Sequence, residues 1–157
     1  MPKLLDIITY PNKILREKSH EIKRFDKDLK RLILDMEKTM LEKDGVGLAA
    51  PQIGKNIKLL IVNTKDGPVH MINPKITKKS WFKEVGEEGC LSIPKIFGDV
   101  KRCKKINVIY YDQDKSKIKL KAEGLFARII QHEVDHLDGI LFTDYLKKKD
   151  LPDGFKK

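Results

Sequence analysis

The chain has 157 residues, of which 40% are hydrophobic and 36% charged, and its formal net charge is +10. This length predicts a single domain, residues 1–157, that buries roughly two-thirds of its unfolded surface. No apolar run approaches the roughly 18 residues of a membrane span, and the N-terminus lacks the apolar core of a signal peptide. A cytoplasmic location without a membrane partner is therefore expected. Two cysteines, Cys90 and Cys103, cannot form a disulfide framework.

The positive charge has two interpretations. The basic residues are mostly lysines spread along the chain with acidic residues between them, which favours a solvated, lysine-rich surface. Clusters at residues 101–105 and 147–149 favour instead a face that meets RNA or the ribosome. No DNA partner is expected. The charge alone does not identify a function.

Two helices are predicted in the first third of the chain. Residues 11–18 predict a short helix that opens at Pro11, and a longer helix begins at Asp26. Apolar residues at helical spacing support the longer helix: Leu29, Leu32, Ile33, Met36 and Met40. That helix is predicted to end near Asp44 and Gly45.

Strands are predicted in the middle of the chain. They cover Ile57–Asn63, Val69–Asn73, Ile76–Val85, Lys105–Tyr111 and Lys117–Lys121. The last two form a hairpin because residues 112–115 supply a turn. A final helix is predicted for Gly124–Leu137. Strands grouped before a terminal helix indicate an α+β fold, with mainly antiparallel β-sheets packed around the C-terminal helix and with N-terminal helices.

The final helix contains the sequence His-Glu-x-x-His. Leu125, Ile129, His132 and His136 share one helix face, so the two histidines continue an apolar stripe and point inward. Such histidines are either hydrogen-bonded core residues or ligands of one metal ion. We favour the metal, because two buried histidines with a carboxylate between them are costly without a partner. Glu133 would then move protons beside the metal.

A third metal ligand has to come from upstream of this helix. An extended zinc-protease motif would place a third histidine where this chain has Phe142, which cannot ligate a metal. Cys90, within residues 88–94, offers a thiolate that suits zinc or ferrous iron. A small buried hydrophobic residue is the other interpretation of a lone cysteine, and both stand at this point. Cys103 is assigned no role.

Small residues are concentrated in residues 45–54. Such a segment is either a tight structural turn or backbone packed closely against a ligand or another strand. It is not a phosphate-binding loop, because the required Lys-Ser/Thr ending is missing. Gln52 is its one polar side chain, and its amide N–H can support a developing oxyanion.

Three segments together resemble the peptide deformylase family. They are residues 45–54 with Gly-x-Gly-Leu-Ala-Ala-x-Gln-x-Gly, residues 88–92 with Glu-Gly-Cys-Leu-Ser, and residues 131–137 with Gln-His-Glu-x-Asp-His-Leu. Their order and spacing are also similar to the family. The resemblance implies a compact hydrolase that removes the N-formyl group from the initiator methionine of nascent polypeptides and releases formate.

The resemblance also implies a role for each motif residue. The metal ligands are Cys90, His132 and His136, with water as the fourth ligand. One divalent ion per chain is expected. The family usually uses Fe²⁺, and Zn²⁺, Ni²⁺ or Co²⁺ also suit these ligands. Glu133 serves as general acid/base while the metal-activated water attacks the formyl carbonyl. Gln52 and the backbone N–H of Leu91 stabilise the oxyanion.

The remaining implied residues contact the substrate. Val46, Leu125 and Ile129 are expected to line an apolar slot for the methionine side chain. Gly45 and Gly47 are expected to hydrogen-bond the extended substrate backbone as an added strand.

The family likeness carries two further expectations. Arg102 matches a family arginine and is expected to form a structural salt bridge with Glu88.

The expected partners are N-formyl-methionyl nascent peptides and, transiently, the ribosome. Two alternatives are kept: a small His-Glu-x-x-His metallopeptidase, and a basic ribosome- or RNA-binding protein with a vestigial site.

Overall fold

Two α-helices and seven strands form the part of the chain that this computed structural model describes, residues 1–156. The helices are α1 (Lys27–Glu42) and α2 (Gly124–Leu137). The strands are β1 (Gly47–Ala49), β2 (Leu59–Thr64), β3 (Gly67–Lys79), β4 (Lys83–Cys90), β5 (Ile93–Cys103), β6 (Lys105–Tyr111) and β7 (Lys117–Glu123). No helix among these residues is long and apolar enough to cross a membrane.

The strands form two antiparallel sheets. Five of them lie in the order β1-β2-β3-β6-β7, and β4 pairs with β5 as a separate two-stranded ribbon. The register of β6 and β7 runs from Lys105 opposite Glu123 to Tyr111 opposite Lys117, which confirms the predicted hairpin. The architecture confirms the predicted α+β class with mainly antiparallel sheets.

Strand β2 explains how both faces of the large sheet are buried. Leu60 and Val62 face the side covered by α2, whereas Leu59 and Ile61 face the side covered by α1. All four side chains are fully buried, and each contributes about 1.5–3 kcal/mol relative to an exposed side chain. The sheet is thus a rigid layer that holds α2, and with it the two histidines, in one place.

The ends of both helices follow the predicted signals. The Asp26 carboxylate accepts a hydrogen bond from the Leu29 N–H at 3.0 Å and caps α1. Helix α2 covers the predicted range, and Gly139 follows it with a φ of 73°. That left-handed conformation is one that glycine adopts without strain.

Several predicted boundaries were wrong. Residues 11–18 form only a short 3₁₀ turn, Lys13–Arg16. The first strand predicted here was to end at Asn73, but β3 continues through that residue. Asn73 has a positive φ of 51°, and its side chain bonds both the N–H and the carbonyl of Ile22. The predicted strand over residues 76–85 is instead divided at residues 80–82. Strands β1 and β5 were not predicted, because neither shows a regular apolar alternation.

Replacing Gly139 by alanine is expected to destabilise the fold. An added Cβ would lie 2.4 Å from the Arg16 carbonyl oxygen, and the φ of 73° adds backbone strain. We expect the free energy of unfolding to fall by at least about 2 kcal/mol in denaturant titration. Gly124→Ala is the matched control, because its φ is 64° but its Cβ meets nothing within 4 Å. Equal losses in the two variants would show that the Arg16 contact is unimportant.

Candidate metal centre

Helix α2 and the end of β4 bring the three predicted ligands together. Cys90, His132 and His136 offer ligand atoms that all lie within 4.8 Å of one another. The Cys90 Sγ lies 3.3 Å from Nε2 of His136, and the two imidazole rings have centroids 5.1 Å apart. Both histidines and Ile129 are buried, which confirms the predicted inward orientation for three of the four residues on that helix face, whereas Leu125 is exposed.

The spacing of Cys90 and His136 fits two ligands of one metal ion. With metal–sulfur bonds of about 2.3 Å and metal–nitrogen bonds of about 2.0 Å, the sulfur and nitrogen would lie roughly 3.5 Å apart. The observed 3.3 Å between Cys90 and His136 is close to this spacing. One thiolate and two imidazoles form a donor set typical of zinc and ferrous iron.

Glu88 orients the first histidine. Its Oε1 lies 2.8 Å from Nδ1 of His132, which leaves Nε2 of that ring for the metal. Arg102 donates to both oxygens of Glu88, at 2.9 Å each, and this confirms the expected salt bridge. Arg128 donates to Oε2 at 2.7 Å. The guanidinium groups of Arg102 and Arg128 therefore fix the Glu88 carboxylate, which in turn orients His132.

The charged network continues to the 3₁₀ turn Phe142–Tyr145, which follows α2. Arg102 also pairs with Asp135, which accepts a hydrogen bond from the Tyr145 hydroxyl at 2.8 Å. The guanidinium carbon of Arg102 lies 4.8 Å from the centre of the Tyr145 ring. Asp135, Tyr145 and Arg128 were not predicted as site residues. Only Asp135 carried a sequence signal, since it lies inside the His-Glu-x-x-His motif.

The electrostatics of the network favour a cation beside the histidines. Burial raises the pKa of Glu88, but hydrogen bonds from Arg102 and His132 outweigh it and lower the pKa to about 2. Burial lowers the pKa of His132, whereas the negative groups around it, Glu133 first, raise the pKa well above its usual value. A metal ion is stabilised by the same negative surroundings. Burial lowers the pKa of His136, which favours a neutral ring with a free lone pair.

Glu133 lies beside the ligands as a buried carboxylate. It is 3% exposed, and its Oε1 has no hydrogen-bond partner among the described residues. Burial raises the pKa of this carboxyl to about 7. A buried, unpaired oxygen of this kind is available to a water molecule or a substrate N–H.

Gln52 is held in one amide orientation. Its Oε1 accepts the Ala49 N–H at 2.9 Å, and its Nε2 donates to the Ser92 hydroxyl at 3.1 Å. The same Nε2 lies 3.4 Å from the Cys90 sulfur, so its second N–H faces the ligand cluster. Leu91, the next residue after the cysteine, lines the adjoining cavity. These contacts bring the two predicted oxyanion donors close to the three ligands.

A cavity of about 410 Å³ opens beside the ligands. Its lining includes all five predicted substrate residues: Gly45, Val46, Gly47, Leu125 and Ile129. Ile129 is only 7% exposed and lies deep, whereas Val46 and Leu125 are 59% and 70% exposed and lie at the mouth. The lining also contains residues that the sequence did not indicate, among them Glu87, Pro94, Phe97 and Arg128.

Gly47 must remain a glycine for Glu133 to keep its position. A Cβ at residue 47 would lie 2.5 Å from Oε2 of Glu133. We expect Gly47→Ala to displace the carboxylate and to reduce hydrolytic turnover at least about 100-fold, the lower range for a positioned general base. Metal content is expected to stay near one ion per chain. Full activity in this variant would contradict the assigned position of the carboxylate.

A buried glutamate beside two histidines of one helix and an upstream cysteine defines a hydrolase that uses a single metal ion. The family model described as Polypeptide deformylase matches residues 4–151. The chain therefore belongs to the polypeptide deformylase family.

Individual relatives agree with this assignment. Peptide deformylase 1 of Bacillus anthracis is 45% identical over 142 residues, which cover 89% of this chain and 90% of that protein. The crystal structure of peptide deformylase from Thermotoga maritima matches with a TM-score of 0.90 and 40% identity, covering 92% of this chain and 98% of that one. A Met-Ala-Ser bound structure of the Acinetobacter baumannii enzyme matches with a TM-score of 0.89 and 34% identity, covering 93% and 100%.

Proposed function

We propose that this chain removes the formyl group from N-formyl-methionyl peptides at the centre formed by Cys90, His132 and His136. The observation that carries this proposal is the convergence of those three ligand atoms within 4.8 Å, beside a buried carboxylate and at the wall of an open cavity. The family supports the reaction, and we assign the roles below to this chain's own residues.

The metal would be held by the thiolate of Cys90 and by one nitrogen each of His132 and His136. When bound, a divalent ion supplies Lewis acidity, which lowers the pKa of a bound water and polarises a carbonyl oxygen. We propose Fe²⁺ as the physiological ion on family grounds, with Zn²⁺, Ni²⁺ and Co²⁺ able to use the same ligands.

Glu133 would act as general base and then as general acid. Its unpaired Oε1 is free to accept a proton from the attacking water and to return it to the departing amine. The lack of a side chain at Gly47 leaves room for this carboxylate, because an added Cβ would lie 2.5 Å from its Oε2. General catalysis by a positioned group of this kind is worth about 10²- to 10⁴-fold in rate.

Gln52 and the Leu91 N–H would stabilise the oxygen of the formyl group as it becomes charged. The Ala49 N–H holds the Gln52 carbonyl and the Ser92 hydroxyl accepts one amide N–H, so the second N–H is held on the side of Cys90. Removal of one such donor typically costs about 2.7–4 kcal/mol of transition-state stabilisation.

The cavity would bind the methionine side chain against Ile129, with Val46 and Leu125 closing the mouth. Strand β1 is the outermost strand of its sheet, so the backbone near Gly45 and Gly47 can accept an extended peptide as an added strand. The Met-Ala-Ser ligand of the Acinetobacter relative is a peptide that begins with methionine, as this pocket would require.

We further propose a cytoplasmic location, one catalytic domain over residues 1–157, and transient contact with the ribosome, where nascent peptides emerge. The family match supports these statements by analogy. The metallopeptidase alternative would require a site that cleaves peptide bonds, and the family assignment gives it no support.

The test of this function is formate release from formyl-Met-Ala compared with acetate release from acetyl-Met-Ala. We expect formate release that is lost on metal chelation and restored by Fe²⁺ or Co²⁺, with little acetate, because a formyl carbon carries only hydrogen and fits a narrower pocket. Release of free methionine from unblocked Met-Ala, without formate release, would instead indicate a peptidase.

A further inference from the structure

Two aromatic side chains stand exposed on the connection between β3 and β4. Trp81 is 89% exposed and Phe82 is 66% exposed, and neither lines the catalytic cavity. The Lys104 Nζ lies 5.6 Å from the centre of the Phe82 ring, so Phe82 has one contact within the chain, whereas Trp81 is almost fully exposed. We call residues 80–82 the aromatic loop.

The aromatic loop is held rigidly. The N–H of Ser80 donates to the Lys105 carbonyl at 2.9 Å, and the Lys104 N–H donates to the Phe82 carbonyl at 3.0 Å. The Ser80 hydroxyl donates to the same Phe82 carbonyl at 2.8 Å and accepts the Lys105 N–H at 3.0 Å. Four hydrogen bonds therefore fix the backbone on both sides of Trp81 next to Lys104 and Lys105.

Lysines cover the sheet face that begins at this loop. On β7, Lys117, Lys119 and Lys121 are exposed on one face at intervals of about 7 Å. The register places Lys121 and Lys78 on either side of Asn107, and Lys119 and Lys75 on either side of Ile109. We define the basic face by six exposed lysines: Lys75, Lys78, Lys105, Lys117, Lys119 and Lys121.

Few acidic groups offset this charge. Glu123 is the one acidic residue in the sequences of β3, β6 and β7, and it pairs with Lys105 at 3.8 Å in an exposed position. Exposed pairs of this kind are weak, and a polyanion can displace them. Asp112 and Asp114 lie in the turn between β6 and β7, and Asp114 pairs with Lys30. The basic face still carries a local excess of positive charge, and the aromatic loop is bonded to Lys105 at one end of it.

From this juxtaposition we propose that the aromatic loop and the basic face form a binding surface for single-stranded RNA. An exposed indole can stack on a base, and lysines near it can contact the phosphates. Along β7, Lys117, Lys119 and Lys121 form a linear row that can follow a phosphate backbone. RNA is the relevant polyanion because the surface would serve the proposed function, in which the substrate is carried by a ribosome.

Trp81 is the only tryptophan of the chain, so its fluorescence reports binding directly. We expect a single-stranded oligoribonucleotide of twelve residues to quench this fluorescence. If three or four phosphates are contacted, the affinity should fall roughly 20- to 50-fold between 50 and 200 mM salt. Absence of quenching at low salt, or quenching that salt does not affect, would overturn the proposal.

Variants of Trp81 distinguish stacking on a base from a non-specific hydrophobic contact. Because these variants lack the tryptophan, binding is measured with a labelled oligonucleotide. Trp81→Phe keeps an aromatic face and should bind nearly as well, whereas Trp81→Leu should weaken binding about five-fold or more. Anionic lipid vesicles are the competing probe. Equal RNA binding by the phenylalanine and leucine variants, or a fluorescence response to vesicles and not to RNA, would also overturn the proposal.

A charge-reversal pair tests the basic face. Lys119→Glu with Lys121→Glu should weaken RNA binding at least about ten-fold and reduce its salt dependence. Lys13→Glu with Lys18→Glu changes the net charge equally at exposed positions outside the basic face and should have a small effect. Equal losses in both pairs would leave only non-specific attraction and contradict the proposed surface.

Formate release from formyl-Met-Ala should be unchanged in all these variants, because none of the altered residues lines the cavity. RNA binding without formate release would refute the proposed function alone. Formate release without RNA binding would refute this surface alone.

Discussion

Replacing Glu133 by glutamine is expected to lower kcat/KM for formyl-Met-Ala by about 10²- to 10⁴-fold, the usual contribution of a positioned general base. Glutamine has nearly the shape of glutamate but cannot take the proton of the attacking water. Because the residue is buried and is not one of the three converging ligands, metal content should stay near one ion per chain. The measurements are initial rates of formate release and elemental analysis of the same samples.

Asp138→Asn is the matched control for this variant. It removes one carboxylate just after the same helix, at an exposed position that does not line the cavity. We expect its rate to stay within about two-fold of the unmodified chain. If Glu133→Gln retained full turnover with bound metal, the proposed route of the proton would be wrong.

Replacing Glu88 by glutamine is expected to affect both stability and metal binding. The carboxylate lies against two guanidinium groups, those of Arg102 and Arg128, and is 7% exposed. Removing its charge leaves two buried cations insufficiently compensated, a situation that typically costs about 3–5 kcal/mol of the free energy of unfolding. The orienting contact with His132 is weakened as well, which should lower metal affinity roughly 10- to 100-fold.

Denaturant unfolding and competition with a metal-chelating dye measure these two effects separately. Glu123→Gln is the control, because it breaks an ion pair with Lys105 in which both side chains are 67% exposed. That pair should contribute at most about 1 kcal/mol. Equal stability losses from the two substitutions would show that burial of the Glu88 network is energetically unimportant.

The residues whose chemistry is local were predictable from the sequence. A two-histidine ligand pair depends only on helical spacing, so Leu125, Ile129, His132 and His136 could be placed on one face before any fold was known. The boundaries of α2 and the hairpin of β6 and β7 followed from similarly local patterns of periodicity and turn residues.

The supporting network was less predictable because it is assembled from distant segments. Arg128 reaches the carbonyls of Glu84 and Val100 as well as Glu88, on two strands of a ribbon whose second strand was not predicted. Asn73 carried no apolar signal, yet its side chain bonds the N–H and the carbonyl of Ile22, a residue far away in the sequence. Such contacts depend on strand register, which a linear pattern does not specify when alternation is irregular.

By itself, the sequence determined the chemistry available to this protein: two imidazoles one turn apart, a carboxylate between them, a cysteine and an amide in separate motifs. Only the tertiary structure decided that these groups meet, with Cys90 carried to α2 by the β4–β5 ribbon and Glu88 clamped by Arg102 and Arg128. The physical reason is that side-chain type is a local property. Convergence on one metal ion instead depends on long-range packing and on compensation of buried charge.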